Sequence, residues 1–284
     1  TTYNTVHVDF VNPDGVWVLS EGCKVSNVRI EAESDGIGVF GIGTTLTSSG
    51  DDVTIEGCVF DCGAYFTSSY FIKLCEVAFA GASISNLIVK DNNVTAGTSF
   101  IAYGSVGYDF FNFNICNNVV EITDVAAATY AIILWANTTG TGIMISNNTF
   151  IGPFGVYLRN FTGCDVSHNA FVLGVANVAT SVFGISAHTV TKSIISYNTF
   201  RERTGNTAVD LTGIRTQALT DFNISHNTIK EVQQGIYDAA STASSYVTIA
   251  SNIIEAIDNG AGAGGVGIFT YCNNLIISNN QIYA

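Results

Sequence analysis

The chain has 284 residues, of which 47% are hydrophobic and 12% charged, and its formal net charge is −13. A chain of that size has ample apolar surface for a sizeable core, while so acidic a balance argues against a nucleic-acid or anionic-membrane partner. Apolar stretches such as "YAIILWANTTG" break within eight residues, far short of the roughly 18 that a membrane insertion requires.

Residues 1 to 23 carry no repeat and read as a strand-containing lead-in segment, without a signal-peptide layout. The opening at Thr1 without Met, and the stop at "NNQIYA" in mid-phrase, predict an excised piece of a longer protein. Seven cysteines (23, 58, 62, 75, 116, 164 and 272) lack paired metal-ligand spacing, and only Cys58 and Cys62 lie close together. They are expected to be buried small hydrophobes rather than a disulfide framework.

From residue 24 onward one phrase recurs: an aliphatic residue, Ser or another small or polar residue, a polar residue, Asn, a small residue, and Phe, Ile or Val. "IEAESD" from Ile30 fits poorly, and "IEGCVF" (55 to 60) fits with Cys58 in the Asn place. Then follow "VKDNNV", "ICNNVV", "ISNNTF", "VSHNAF", "ISYNTF", "ISHNTI", "IASNII" and "ISNNQI", with Asn at 92, 118, 148, 169, 198, 227, 252 and 280. A second phrase interleaves with it, among its copies "FIAYG", "AIILW", "GVYLR", "GISAH", "GIRTQ", "GIYDA" and "GIFTY". Gly155, Gly184 and Gly213 each stand 14 residues before the next column Asn, so both phrases share one register.

Both phrases are short, alternating and rich in Ile, Val, Phe and Thr, which are strand signals, and helical periodicity is absent. Units of 21 to 30 residues are too small to bury their own apolar face, so they must stack into a solenoid. The column Asn is expected to take the left-handed conformation at a sharp bend and to hydrogen-bond to the Asn of the coils above and below.

These residues resemble the right-handed single-stranded parallel β-helix of the pectate-lyase-like superfamily, and in style its phage tailspikes, depolymerases and generic β-helix repeat proteins. The resemblance covers residues 24 to 284 and implies about ten coils with an Asn ladder. It fixes no activity, because that fold serves lyases, hydrolases, epimerases, tailspikes and surface proteins alike.

In that superfamily the groove is made from the loops after the Asn bend and the outer face of the next strand. Here these loops span from 7 residues (Asn148 to Gly155) to 15 (Asn169 to Gly184). The outward positions read Tyr157, Ser186, Arg215, Tyr237 and Phe269, beside Trp135, Arg159, His188, Gln217 and Tyr271. Arg201, Glu202 and Arg203, then Lys230 and Glu231, then Glu255 and Asp258 are expected on the loops above them, with Arg203 joining Arg159 and Arg215. Rings interspersed with Arg suit a carbohydrate, with Trp135, Tyr157, Gln217, Tyr237 and Tyr271 as binding residues.

A lyase would need a base and a cation, for which Arg159, Arg215 and His188 or Tyr237 are candidates. A hydrolase would need two carboxylates about 5 to 9.5 Å apart, for which Glu202 and Glu231 are candidates, with Asp238 and Asp258 in reserve. Asp35 in "ESDGIGVF" resembles a polygalacturonase Asp, but the accompanying Gly-Asp-Asp, Gly-His-Gly and Arg-Ile-Lys motifs are missing, which disfavours that class. "SGDDV" (49 to 53) reads as a turn, and neither a metal nor another cofactor is expected. A second column beside the ladder, Asn147, His168, Tyr197, His226, Ser251 and Asn279, reads as decoration of the bend.

The resulting expectation is a carbohydrate-binding, polysaccharide-cleaving β-helix, such as a tailspike depolymerase, extracellular or on a virion and, as the resemblance implies, a homotrimer. The alternatives are a non-catalytic structural or adhesive β-helix on a cell surface or appendage, and a secreted bacterial lyase or epimerase.

Overall fold

A computed structural model describes residues 4–5, 17–19, 21–31, 38–42, 50–62, 70–74, 82–103, 108–123, 130–174, 181–204, 210–239, 244–257 and 265–283. Most of the lead-in segment, Asp35, Cys75 and Asp258 lie outside them. The described residues form a parallel β-solenoid without a helix. One wall is an eleven-stranded sheet running from Asn4–Thr5 to Gln281–Tyr283, each strand pairing in parallel with its counterparts one coil away. The other two walls belong to a single folded sheet of 21 strands. The "G-I" strands make the first wall, short strands such as Asp165–Ser167 the second, and the strands after the column Asn the third.

Neighbouring coils stay in register because interior residues repeat by type. Ile132, Val156, Ile185, Ile214, Ile236 and Ile268 line up along the first wall. Phe150, Phe171, Phe200, Ile229 and Ile254 line up along the third. Phe171 and Phe200 stack at 4.8 Å with 5° between their planes. These columns form one continuous apolar core, so each coil is stabilised by its two neighbours rather than alone.

The glycine of the second phrase faces this column across the interior. A Cβ on Gly184 would lie 2.5 Å from the Phe200 ring and 2.7 Å from the carbonyl oxygen of Gly213, and Gly155 is just as tightly held by Phe171 and Gly184. The two phrases share a register because the ring of one fills the space that the glycine of the other leaves.

The corner differs from expectation in one respect. The column Asn are not left-handed, and those from Asn92 to Asn252 are buried; the residue before each one is left-handed, with φ of 57° at Asn147, 59° at His168, 57° at Tyr197 and 58° at His226. That residue makes the bend, which frees the Asn side chain to point inward. There Asn148 donates from its backbone N–H and its Nδ2 to Asn169 Oδ1 (2.9 and 3.0 Å), and from Nδ2 to Ile115 O (2.9 Å). The same triple pattern recurs from Asn92 to Asn252, and Cys58 joins its N-terminal end through a backbone N–H to Asn92 Oδ1. The ladder itself closes seven turns between Asn92 and Asn280, and the third wall carries ten strands within residues 24 to 284.

A second left-handed corner stands five residues before the first in each coil: Asn86, Asn112, Gly142, Gly163, Lys192, Asp221, Tyr246 and Asn274. Asp51 and Asp52 form a turn, as expected, and Asp51 Oδ1 accepts from the backbone N–H and Oγ of Ser85, both at 2.7 Å. None of the described cysteines forms a disulfide, Cys58, Cys62 and Cys164 are buried, and burial raises the Cys164 thiol to about 12.

Candidate functional site

Outward residues of the first wall stack as two columns. Pairing register places Ile133, Tyr157, Ser186, Arg215, Tyr237 and Phe269 in one, and Trp135, Arg159, His188 and Gln217 in the other. The structure therefore brings Arg159, His188 and Gln217 onto successive coils, as the repeat predicts. Tyr271 lies beyond the last strand, exposed, with its ring edge-on to Phe269 at 5.0 Å. Neither column contains an acidic residue, although the chain carries 23 of them.

Both guanidiniums lie on rings. Arg159 sits over Trp135, 3.8 Å from the ring centroid, and Arg215 over Phe183 at 4.8 Å. Trp135 is braced in turn by Tyr103, centroid to centroid at 5.9 Å. Around Arg215 the rings of Tyr130, Phe154 and Phe183 follow one another at 4.8 and 5.8 Å, and Tyr157 packs on both Tyr130 and His188. Tyr237 and Phe269 continue the strip as a stacked pair at 5.2 Å.

Three uncharged polar groups connect beneath these rings. Ser186 Oγ is fully buried and lies 3.1 Å from His188 Nε2, and the Tyr130 hydroxyl hydrogen-bonds to Ser186. Burial, and then the positive charges of Arg215 and Arg159, push His188 down to about 4. Burial likewise pushes Tyr130 up to about 12. At neutral pH the face therefore carries two fixed positive charges over a neutral His, Ser and Tyr.

The carboxylates stand elsewhere. Glu202 and Glu231 are on the third wall, at the ends of the adjacent strands Thr199–Glu202 and Thr228–Val232, not on loops. Arg201, Lys230 and Glu255 are on third-wall strands too. Arg203 does not join Arg159 and Arg215, because it pairs with Glu121 at 3.1 Å, on a third-wall strand three coils away. Asp238 is buried, and its Oδ2 accepts the backbone N–H of Tyr271 at 3.4 Å. No group of three or more His, Cys, Asp or Glu among the described residues is placed to hold a metal ion.

Sequence reasoning missed Tyr103, Tyr130, Phe154 and Phe183. Their signal is weak, because all four stand outside the columns used to find the face and act through long side chains. The bend column, in contrast, forms an ordered stack: His168, Tyr197 and His226 lie face to face at 5.0 and 4.8 Å.

No protein-family profile and no curated protein sequence matches this chain. Several solved structures are similar to it at low identity. PfbA, a surface adhesin of Streptococcus pneumoniae, is similar with a TM-score of 0.56 and 16% identity over 95% of this chain and 82% of that one. XylC in complex with xylose (TM-score 0.49, 12% identity) is covered to 37% by 78% of this chain. A tailspike mutant of E. coli bacteriophage HK620 in complex with a pentasaccharide (0.46, 14%) is covered to 59% by 88% of it.

Proposed function

We propose that this protein is a carbohydrate-binding β-helix that holds an extended glycan along the outer face of its first wall. The observation that carries this reading is the strip of rings from Tyr103 to Phe269, with two guanidiniums set over it. The C–H faces of a sugar pack on exposed rings, and its hydroxyls take hydrogen bonds from guanidinium, amide and phenol groups at the rim. Trp135, Tyr157, Gln217, Tyr237 and Tyr271 are the proposed contacts, with Tyr103 and Phe183 added by the geometry. The role suits a cell or virion surface, as with the adhesin that shares the fold, and a parallel homotrimer would set three such faces side by side.

The test is a glycan panel read through Trp fluorescence, since Trp135 lies on the face. Saturable quenching that Trp135→Phe removes supports the reading. Saturable binding that survives both Trp135→Phe and Tyr157→Ala moves the site to another face.

Cleavage is the second reading, favoured by the position of Glu202 and Glu231 on neighbouring strands that lead into the first wall. A retaining or inverting hydrolase sets its two carboxyls roughly 5 to 9.5 Å apart. A lyase would instead recruit Arg159 and Arg215 to neutralise developing charge, with Tyr237 or His188 as the base. His188, held near 4, is a weak base at neutral pH. Release of reducing ends that Glu202→Gln and Glu231→Gln each abolish supports the hydrolase. A product absorbing near ~235 nm that they leave intact supports the lyase, and binding without either product ends the cleavage reading.

A further inference from the structure

Four of the described cations have a carboxylate partner, while two arginines of the first wall lie on rings instead. Lys24 and Lys90 share Glu56, Arg29 has Glu31 and Arg203 has Glu121, every pair within 3.2 Å. Arg159 and Arg215 have an aromatic ring instead, and no carboxylate partner among the described residues. In a chain with 23 acidic and 10 basic residues, a surface that gathers two unpaired guanidiniums and no acid is a departure from its composition. Ring stacking stabilises each Arg, and it also holds the planar fork in place. A bound oxyanion would therefore meet donors whose side-chain freedom is already restricted.

We propose that the ligand of this face is an acidic glycan, whose negatively charged substituent is held by Arg159 and Arg215 above the Ser186–His188 pair. The proposal rests on the carbohydrate-binding reading and narrows it. The shared chemistry is an oxyanion on a sugar ring, supplied either by a carboxylate or by a sulfate ester. Both accept charge-assisted hydrogen bonds from guanidinium, and the fork geometry matches either one. The surrounding groups oppose nothing, because His188, Ser186, Tyr130 and Gln217 are all uncharged at neutral pH. The −13 background repels an anion at long range, so the attraction is local and weakens as salt is added.

The experiment uses three probes on the full chain: a short oligouronate, its carboxyl-reduced neutral counterpart, and a sulfated neutral oligosaccharide. The expected result is that at least one acidic probe binds more tightly than the neutral one. That advantage should fall by about tenfold or more in Arg159→Gln and in Arg215→Gln, with both variants folded by circular dichroism. Tighter uronate binding identifies a carboxylate ligand, and tighter sulfate binding a sulfate ester. A second readout is independent of affinity: a bound anion beside His188 must raise the pH at which its ring titrates, followed by NMR, whereas the neutral probe must not. If the neutral probe binds as well as both acidic ones and the Arg variants change nothing, the acidic-ligand proposal falls and the glycan reading stands. If none of the three binds, both fall.

Discussion

The Asn corner and the outer face of the first wall are built on the same coils but obey different rules. At the corner, eight successive coils place the same side chain at the same position with the same partners. On the outer face, the register is just as regular while the residues change at every step, from Tyr157 to Ser186 to Arg215. An inward amide has no water to fall back on, so any replacement leaves buried groups unpaired. An outward side chain meets solvent or ligand, and the backbone ladder beneath it is indifferent to its identity. Repetition thus marks what holds the coils together, and variation on a fixed register marks where recognition can be written.

Several substitutions would break or sharpen that contrast. The largest effect is expected from Asn169→Ala, which removes the acceptor of Asn148 and three donor contacts of its own in the middle of the stack. Denaturant unfolding should show a loss of about 3 to 5 kcal/mol, because several buried partners are orphaned together. A loss below 1 kcal/mol would mean that the corner is no more demanding than the face.

Gly184→Ala comes next, since its Cβ would press on Phe200 and on the backbone of the next coil. It should cost about 2 to 3 kcal/mol, and part of this should return in the double variant with Phe200→Leu if ring and glycine are coupled. Independent, additive losses would refute the pairing of the two phrases.

Acidification has a smaller effect with a defined sign. His188 titrates near 4 in the folded chain against 6.5 as the ordinary value, so between these values the unfolded state binds more protons. Its contribution is present above pH 6.5 and is lost as pH falls towards 4. Partial exposure keeps the loss to about 1 kcal/mol. The difference in stability between pH 7 and pH 4.5 should shrink by that amount in His188→Gln, and an unchanged difference would place the titration elsewhere.

The smallest stability effect belongs to the outer face. Arg159→Gln should alter unfolding by less than about 1 kcal/mol, the worth of its stacking on Trp135. A loss as large as that of Asn169→Ala would make Arg159 part of the scaffold and erase the contrast.

The solenoid was legible because its cause is local and recurs: each Asn, each Phe and each facing Gly must satisfy the same neighbours one coil away. The bend was misassigned by one residue because Asn suits both a left-handed turn and a buried ladder, and "NN" at 147 and 148 does not say which residue takes which task. His168, Tyr197 and His226 do say so, since it is they that adopt positive φ while the following Asn is buried. The constant five-residue step between the two corners was in the sequence as well. It is hidden because Lys192, Asp221 and Tyr246 share no side-chain chemistry with Asn86 or Gly142.

The candidate face was half legible. Alternation within a strand gave Arg159, His188 and Arg215 their neighbours correctly. Contacts made by long side chains, such as Tyr130 reaching Ser186 across two coils or Arg203 reaching Glu121 across three, depend on rotamers that a repeat pattern does not specify.

The Asn ladder also has a direction. From Asn92 to Asn252 the backbone N–H and one hydrogen of each Nδ2 donate to the Oδ1 of the next Asn towards the C-terminus, the other Nδ2 hydrogen reaches back to a carbonyl of the preceding coil, and every Oδ1 accepts from the N-terminal side. The stack is therefore vectorial, and its two ends do not unravel alike. Peeling the first coil away from Asn92 strips its Oδ1 of the Cys58 N–H and one Nδ2 hydrogen of Ile55 O, whereas peeling the last coil away strands two donors, the N–H and one Nδ2 hydrogen of Asn252. Orphaned donors are tolerated less well than under-satisfied oxygens. The ladder thus works as a ratchet that resists loosening from one side, and amide exchange should begin among the N-terminal coils.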